Sequence, residues 1–183
     1  MLDEFRPTFP HILSQREKEE PEPRLVLTPE SSPRIVISVP MSDLVAHVDG
    51  SCLGSPGPAG IGVIIRGSKD GPITVAKWIG RQDNNVAEYM ALLEALQCAL
   101  TLSAKGLHVY SDSEVVVKQM KGAYTCRSSR LYSLNWVCRK LARSLTFSIS
   151  HIPRAINSEA NALAHSAVLK RFGSSERARN FQY

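Results

Sequence analysis

Apolar positions between residues 41 and 172 recur at two spacings, and the spacing changes along the chain. Leu44–Val48 and Ile61–Arg66 are short apolar runs bounded by Gly, Pro and Asp, the signature of strands. Ile73, Val75 and Ile79 alternate with other residues and predict a third strand over Ile73–Ile79, after the turn Lys69-Asp70-Gly71-Pro72. The period then lengthens. Tyr89, Leu92, Leu93, Leu96, Ala99 and Leu100 fall on one face of a helix predicted over Val86–Ser103, with Gly106 as its C-terminal cap. Leu107–Ser111 predicts a short strand and Ser113–Lys121 a short helix stopped by Gly122. Arg130–Arg143 is amphipathic, with Leu131, Leu134, Val137, Cys138 and Leu141 on one face. Leu145–Ser150 alternates as a last strand, and Asn157–Lys170 reads as the last helix. The order β-β-β-α-β-α-α-β-α predicts an α/β fold. Its five-stranded mixed sheet has three antiparallel strands, further strands joined by parallel crossovers, and helices on both faces.

Composition divides the 183 residues unevenly. Residues 1–40 hold seven of the eleven prolines and the charged run Arg16 to Glu20. Such a segment buries too little apolar surface to offset its ordering entropy and reads as a mostly disordered tail. Within it, Arg34 to Val39 could add an edge strand, and Phe5, Phe9, Ile12 and Leu13 could hold a protein partner. Residues 41–172 form the predicted domain, and the polar end from 173 to 183 is expected to fray. The tail has five basic and seven acidic residues, whereas residues 41–183 have seventeen basic and ten acidic. That balance favours a polyanionic partner for the folded part. Cys52, Cys98, Cys126 and Cys138 form no Cys-x-x-Cys and have no zinc-spaced histidine pair beside them. They read as reduced thiols of an intracellular protein, cytoplasmic by default. No secretory segment and no apolar stretch of transmembrane length is present. A monomer is the default expectation.

Three carboxylates change the picture. Asp49 follows the first strand, Asp112 follows the fourth, and Glu88 falls in the first turn of the first helix. Singly, each has a plain explanation: Asp49 as a turn former, Asp112 as an N-cap, Glu88 as an acid favoured by the helix dipole. In a mixed sheet, however, the first and fourth strands are expected neighbours, which brings the carboxylates to one edge. Such a cluster suits hard divalent cations, which take oxygen ligands. An acidic centre in a basic domain fits phosphodiester chemistry on a nucleic acid.

Four linked motifs carry a resemblance across about residues 43–170. They are Val48-Asp49-Gly50-Ser51-Cys52-Leu53-Gly54 leading to Pro56-Gly57-Pro58-Ala59-Gly60; Asn84-Asn85-x-Ala87-Glu88-Tyr89; Ser111-Asp112-Ser113; and His151-x-Pro153-Arg154-x-x-Asn157-x-Glu159-Ala160-x-x-Leu163-Ala164. In order and spacing they closely resemble ribonuclease H of type I, in a compact form without the basic protrusion or a hybrid-binding domain. The resemblance implies the ribonuclease H-like fold and an endonuclease that cuts the RNA strand of RNA–DNA hybrids, leaving 5′-phosphates. It implies two Mg²⁺ ions, with Mn²⁺ as a substitute, about 4 Å apart. Asp49 would bridge them, with Glu88 and Asp112 on the first ion's side and Arg154 assisting near the second. Gly50, Ser51, Cys52, Asn84 and Asn85 match the positions that read 2′-hydroxyls in the minor groove. Tyr124, Arg127, Arg130, Trp136 and Arg139 could extend that face, although a Trp on an amphipathic helix is more often core.

The chain departs from the family pattern at its fourth acidic position, which is Asn161. An amide can still offer a carbonyl oxygen to a cation, but with less charge to hold a second metal. Three readings stay open: an engineered Asp→Asn change, a naturally weakened enzyme, or a non-catalytic hybrid-binding protein of the same fold. The intact Asp49, Glu88 and Asp112 favour an active or weakened nuclease. Asp83 stands where the family often has Thr, beside a DNA-strand phosphate, and its charge would repel that phosphate.

Overall fold

The computed structural model describes residues 43–179. The predicted tail, with its Arg34 to Val39 run and its candidate partner anchors, lies outside the described residues, as do residues 180–183. The elements are β1 (Leu44–Cys52), β2 (Gly57–Arg66), β3 (Ile73–Gln82), α1 (Asn84–Thr101), β4 (Gly106–Ser111), α2 (Glu114–Met120), α3 (Ser129–Ala142), β5 (Thr146–His151) and α4 (Ser158–Arg179). All nine predicted elements are present, in the predicted order.

The strands form one sheet in the order β3-β2-β1-β4-β5. β1, β2 and β3 pair antiparallel, while β1–β4 and β4–β5 are parallel, as the crossover connections require. β1 is therefore central, and its neighbour across the parallel ladder is β4, with Val48 opposite Ser111.

One face of the sheet carries Ala46, Val48, Ile61, Val63, Ile65, Leu107 and Val109 against Tyr89, Leu92 and Leu96 of α1. α2 and α3 extend this core through Val116, Val117 and Cys138. The opposite face is thinner. There α4 lies on β2 through Ala160, Ala164 and Ala167, all buried. A Cβ added to Gly62 would stand 2.1 Å from the Ala160 carbonyl oxygen. Glycine in β2 thus lets α4 approach the strand at backbone contact.

Several expectations need correction. β1 does not stop before Asp49 but continues to Cys52, with Asp49 opposite Gly62, because β2 keeps pairing on that side. Only the β4 partner ends there. α1 begins at Asn84, so Glu88 lies beyond its first turn. Its C-cap is Leu102, followed by Ser103 at φ 53°; Gly106 instead opens β4. α4 continues past Lys170 to Arg179, since one glycine costs a helix only about 1 kcal/mol and no proline intervenes. Trp136 is not core: it is 54% exposed, because Leu134 and Cys138, two positions away on either side, turn inward.

Candidate active site

Asp49 side-chain oxygens reach the site from the α4 face of the sheet. Paired residues on antiparallel strands share a face, and Asp49 pairs with Gly62, the residue under α4. Glu88 comes from the other face. It approaches over Gly50, past the last β1–β4 pair, where an added Cβ would lie 2.3 Å from the Ala87 carbonyl carbon and the Glu88 nitrogen. The Gly50 N–H donates to Glu88 Oε2 at 3.2 Å. Asp112 enters one residue beyond the end of β4, beside the last parallel pair. One oxygen of each of Asp49, Glu88 and Asp112 lies within 4.8 Å of the other two. Spacing in the sequence and convergence in space therefore agree for these three residues.

The electrostatics are unfavourable for the carboxylates by themselves. Asp49 is fully buried, and burial followed by the charge of Asp112 pushes its pKa up to about 7. Burial, then the charges of Asp49 and Asp112, holds Glu88 well above the ordinary carboxylate range. Asp49 Oδ1 has no hydrogen-bond partner. A charge-dense cluster of carboxylate oxygens with an orphaned buried acceptor matches what a hard divalent cation needs.

The fourth position is different in kind. Asn161 sits against Asp49, and this contact lowers the Asp49 pKa. Its amide, oriented to satisfy its neighbours, accepts from Arg154 Nε at 3.3 Å and Nη2 at 2.5 Å. Arg154 Nη1 is also 3.7 Å from Asp112 Oδ2. Arg154 and Asn161 thus adjoin the three carboxylates, but Asn161 contributes no charge. Its carbonyl is engaged by a guanidinium. The donor set fits one divalent ion well and a second one less well.

The predicted 2′-hydroxyl readers line a shared rim. Ser51 and Cys52 are half-buried at the end of β1, while Asn84 and Asn85 are exposed in the first turn of α1. The Cys52 thiol, with its one proton, lies between two acceptors, the carbonyl oxygens of Gln82, at 3.0 Å, and Gly54, which ties the rim together. Asp83 is the N-cap residue of α1 but makes no side-chain capping bond; the Asn84 N–H instead donates to Ser55 Oγ at 3.3 Å. Among the outlying candidates, Arg130 bonds Gln82 and Arg139 bonds the Gln119 carbonyl at 2.7 Å. Lys118 lies over the Tyr124 ring and Lys140 over Trp136.

Asn157, in the fourth motif, is buried beside these groups. Asn157 Nδ2 donates to Asp112 Oδ1 at 2.8 Å and to the Val48 carbonyl at 2.9 Å. The available signal was its place four residues before Asn161, one helical turn away on the same face.

Comparison with known proteins places this geometry in context. Residues 47–167 match the family described as reverse transcriptase-like. A ribonuclease HI of Halobacterium salinarum is 39% identical over 126 residues, 67% of this chain and 63% of that protein. A bifunctional protein of Mycobacterium tuberculosis is 34% identical over 128 residues, 68% of this chain and 35% of that one. The chain thus spans less than two thirds of these curated relatives. The crystal structure of ribonuclease H1 from Halobacterium salinarum superposes with a TM-score of 0.67 at 34% identity, over 70% of this chain and 99% of that one. A compost-derived ribonuclease H1, crystallised with an RNA/DNA hybrid, has a TM-score of 0.65 at 32% identity, over 71% and 99%.

Proposed function

For a chain that belongs to the reverse transcriptase-like family and is similar to type I ribonucleases H, we propose a metal-dependent endonuclease that hydrolyses the RNA strand of RNA–DNA hybrids. Its products carry 5′-phosphates. The observation that carries this reading is the convergence of Asp49, Glu88 and Asp112 within 4.8 Å. In it, Asp49, Glu88 and Asp112 would hold Mg²⁺, or Mn²⁺ in its place, and Asp49 with the Asn161 carbonyl, once released from Arg154, would hold a second, weaker ion. When bound, the two ions supply activation of the attacking water and charge stabilisation at the leaving 3′-oxygen.

The chain's own residues do the rest. Gly50, Ser51 and Cys52 on β1, with Asn84 and Asn85 on α1, meet the hybrid's minor groove, where a 2′-hydroxyl distinguishes RNA from DNA. The contact of Gly50 with α1 sets the spacing between these two groups. Arg154, exposed and beside Asn161, offers positive charge to the phosphate that undergoes cleavage. The uncommitted carboxylate of Asp83 weakens the grip on the DNA strand.

The neutral, Arg154-engaged Asn161 favours one alternative, a protein that binds hybrids without cutting them. One assay separates the two. The chain and its Asn161→Asp variant are incubated with end-labelled hybrid in Mg²⁺, in Mn²⁺ and in chelator. The nuclease reading expects divalent-dependent cleavage of RNA in the hybrid by both proteins, faster for the variant. Tight binding with cleavage only by Asn161→Asp identifies the binding protein. No cleavage by either overturns the enzyme reading.

A further inference from the structure

We propose that Asn157 is a positioning residue that holds Asp112 in its metal-binding orientation and ties it to the strand bearing Asp49. The inference rests on the reading of Asp49, Glu88 and Asp112 as a divalent-cation site. Asn157 is 1% exposed, and its single amide nitrogen is shared between two acceptors, one just beyond β4 and one on β1. One is Asp112 Oδ1, at 2.8 Å; the other is the carbonyl of Val48, the residue before Asp49, at 2.9 Å. Both protons of the amide are therefore spent on the site. Asp112 Oδ1 is occupied by this bond, which leaves Oδ2 as the oxygen that faces Arg154.

The backbone of Asn157 serves the same end. Its N–H donates to the Arg154 carbonyl at 3.1 Å, and its carbonyl accepts from the Asn161 N–H at 3.0 Å. Asn157 thus sits at the junction through which Arg154 and Asn161 are placed relative to Asp49 and Asp112. Its remaining side-chain polar atom, Oδ1, is buried without a partner. Only a neutral amide meets these demands: an aspartate would set a second carboxylate against Asp112, and a leucine would strand two buried acceptors.

Partners of metal ligands of this type typically change metal affinity by about 10–100-fold when removed. The test measures Mn²⁺ binding to the 183-residue chain by electron paramagnetic resonance, for wild type, Asn157→Ser and Asn157→Ala, with circular dichroism giving the folded fraction. Expected is Mn²⁺ binding weakened about 10–100-fold per folded molecule. Raised Mn²⁺ should restore turnover of Asn157→Ser with an unchanged KM for hybrid, which a purely structural defect would not do. Should Asn157→Ala fail to fold, Asn157→Ser keeps one hydroxyl donor and carries the measurement. Folded Asn157→Ser with wild-type Mn²⁺ affinity overturns the positioning role alone. A wild-type chain that takes up no Mn²⁺ overturns the metal reading, and this inference with it.

Discussion

The two faces of the sheet are built from different materials. Under α1, large side chains fill the space: Tyr89, Leu92, Leu96, Ile61 and Ile65 are all fully buried. Under α4 the contact is made by Gly60 and Gly62 against Ala160, Ala164 and Ala167. The thick face buries the apolar surface that stabilises the fold. The thin face brings a helix backbone close enough for the short side chains of Asn157 and Asn161 to reach Asp112 and Asp49. The site lies where both faces meet at the end of β4, with Glu88 arriving from one side and Asp49 from the other. Stability and positioning are therefore partly separable, and substitutions on each face should show it.

The largest effect belongs to the meeting point itself. Asp49→Asn should lower hybrid cleavage on the order of 10³-fold, about 4 kcal/mol of barrier, in a steady-state assay. The same change should improve the metal-free fold at alkaline pH. Asp49 is a carboxyl whose pKa rises from 3.8 to about 7 on folding, so the folded chain holds its proton more tightly than the unfolded chain. That contribution is fully present below pH 4 and is lost as pH rises through 7. In chelator, wild-type stability from urea melts should fall across this window, and Asp49→Asn should flatten the fall. Glu88, shifted in the same direction, adds to the slope.

Next comes the thick face. Leu92→Ala should cost about 2–5 kcal/mol in urea melts while leaving Mn²⁺ affinity of the folded chain unchanged. On the thin face, Gly62→Ala forces a Cβ towards the Ala160 carbonyl oxygen and should cost about 1–3 kcal/mol. Unlike Leu92→Ala, it should also weaken Mn²⁺ binding, because α4 carries Asn161, and Asn157 just before it, away from the carboxylates. Equal Mn²⁺ affinity in the two variants would break the distinction between the faces. The smallest effect is at the surface. Arg66 and Glu159 pair at 2.7 Å with both side chains exposed, so Glu159→Ala should change stability by less than about 1 kcal/mol.

Much of this was legible in the residues. The elements followed from local periodicity, and the antiparallel meander followed from the short turns between its strands. Asp49, Glu88 and Asp112 stood out because a carboxylate near the end of an apolar segment needs a reason to be there. Trp136 misled for a related reason: the helical period identifies an apolar face, yet one bulky aromatic two positions off that face does not reveal which side it takes. The glycines of β2 looked like turn or strand punctuation, although Gly62 in fact marks where another backbone passes.

What the chain by itself determined were those features that depend on neighbours a few positions apart: helix and strand periods, the basic balance after residue 40, and the neutral amide at 161. Only the tertiary structure decided that Asn157 meets Asp112, 45 residues away, and Val48, 109 residues away. It also decided that Asn161 lies between Asp49 and Arg154. The reason is physical. A hydrogen bond depends on distance and direction in space, and these arise from the strand order and from how closely α4 can lie on a strand without side chains beneath it.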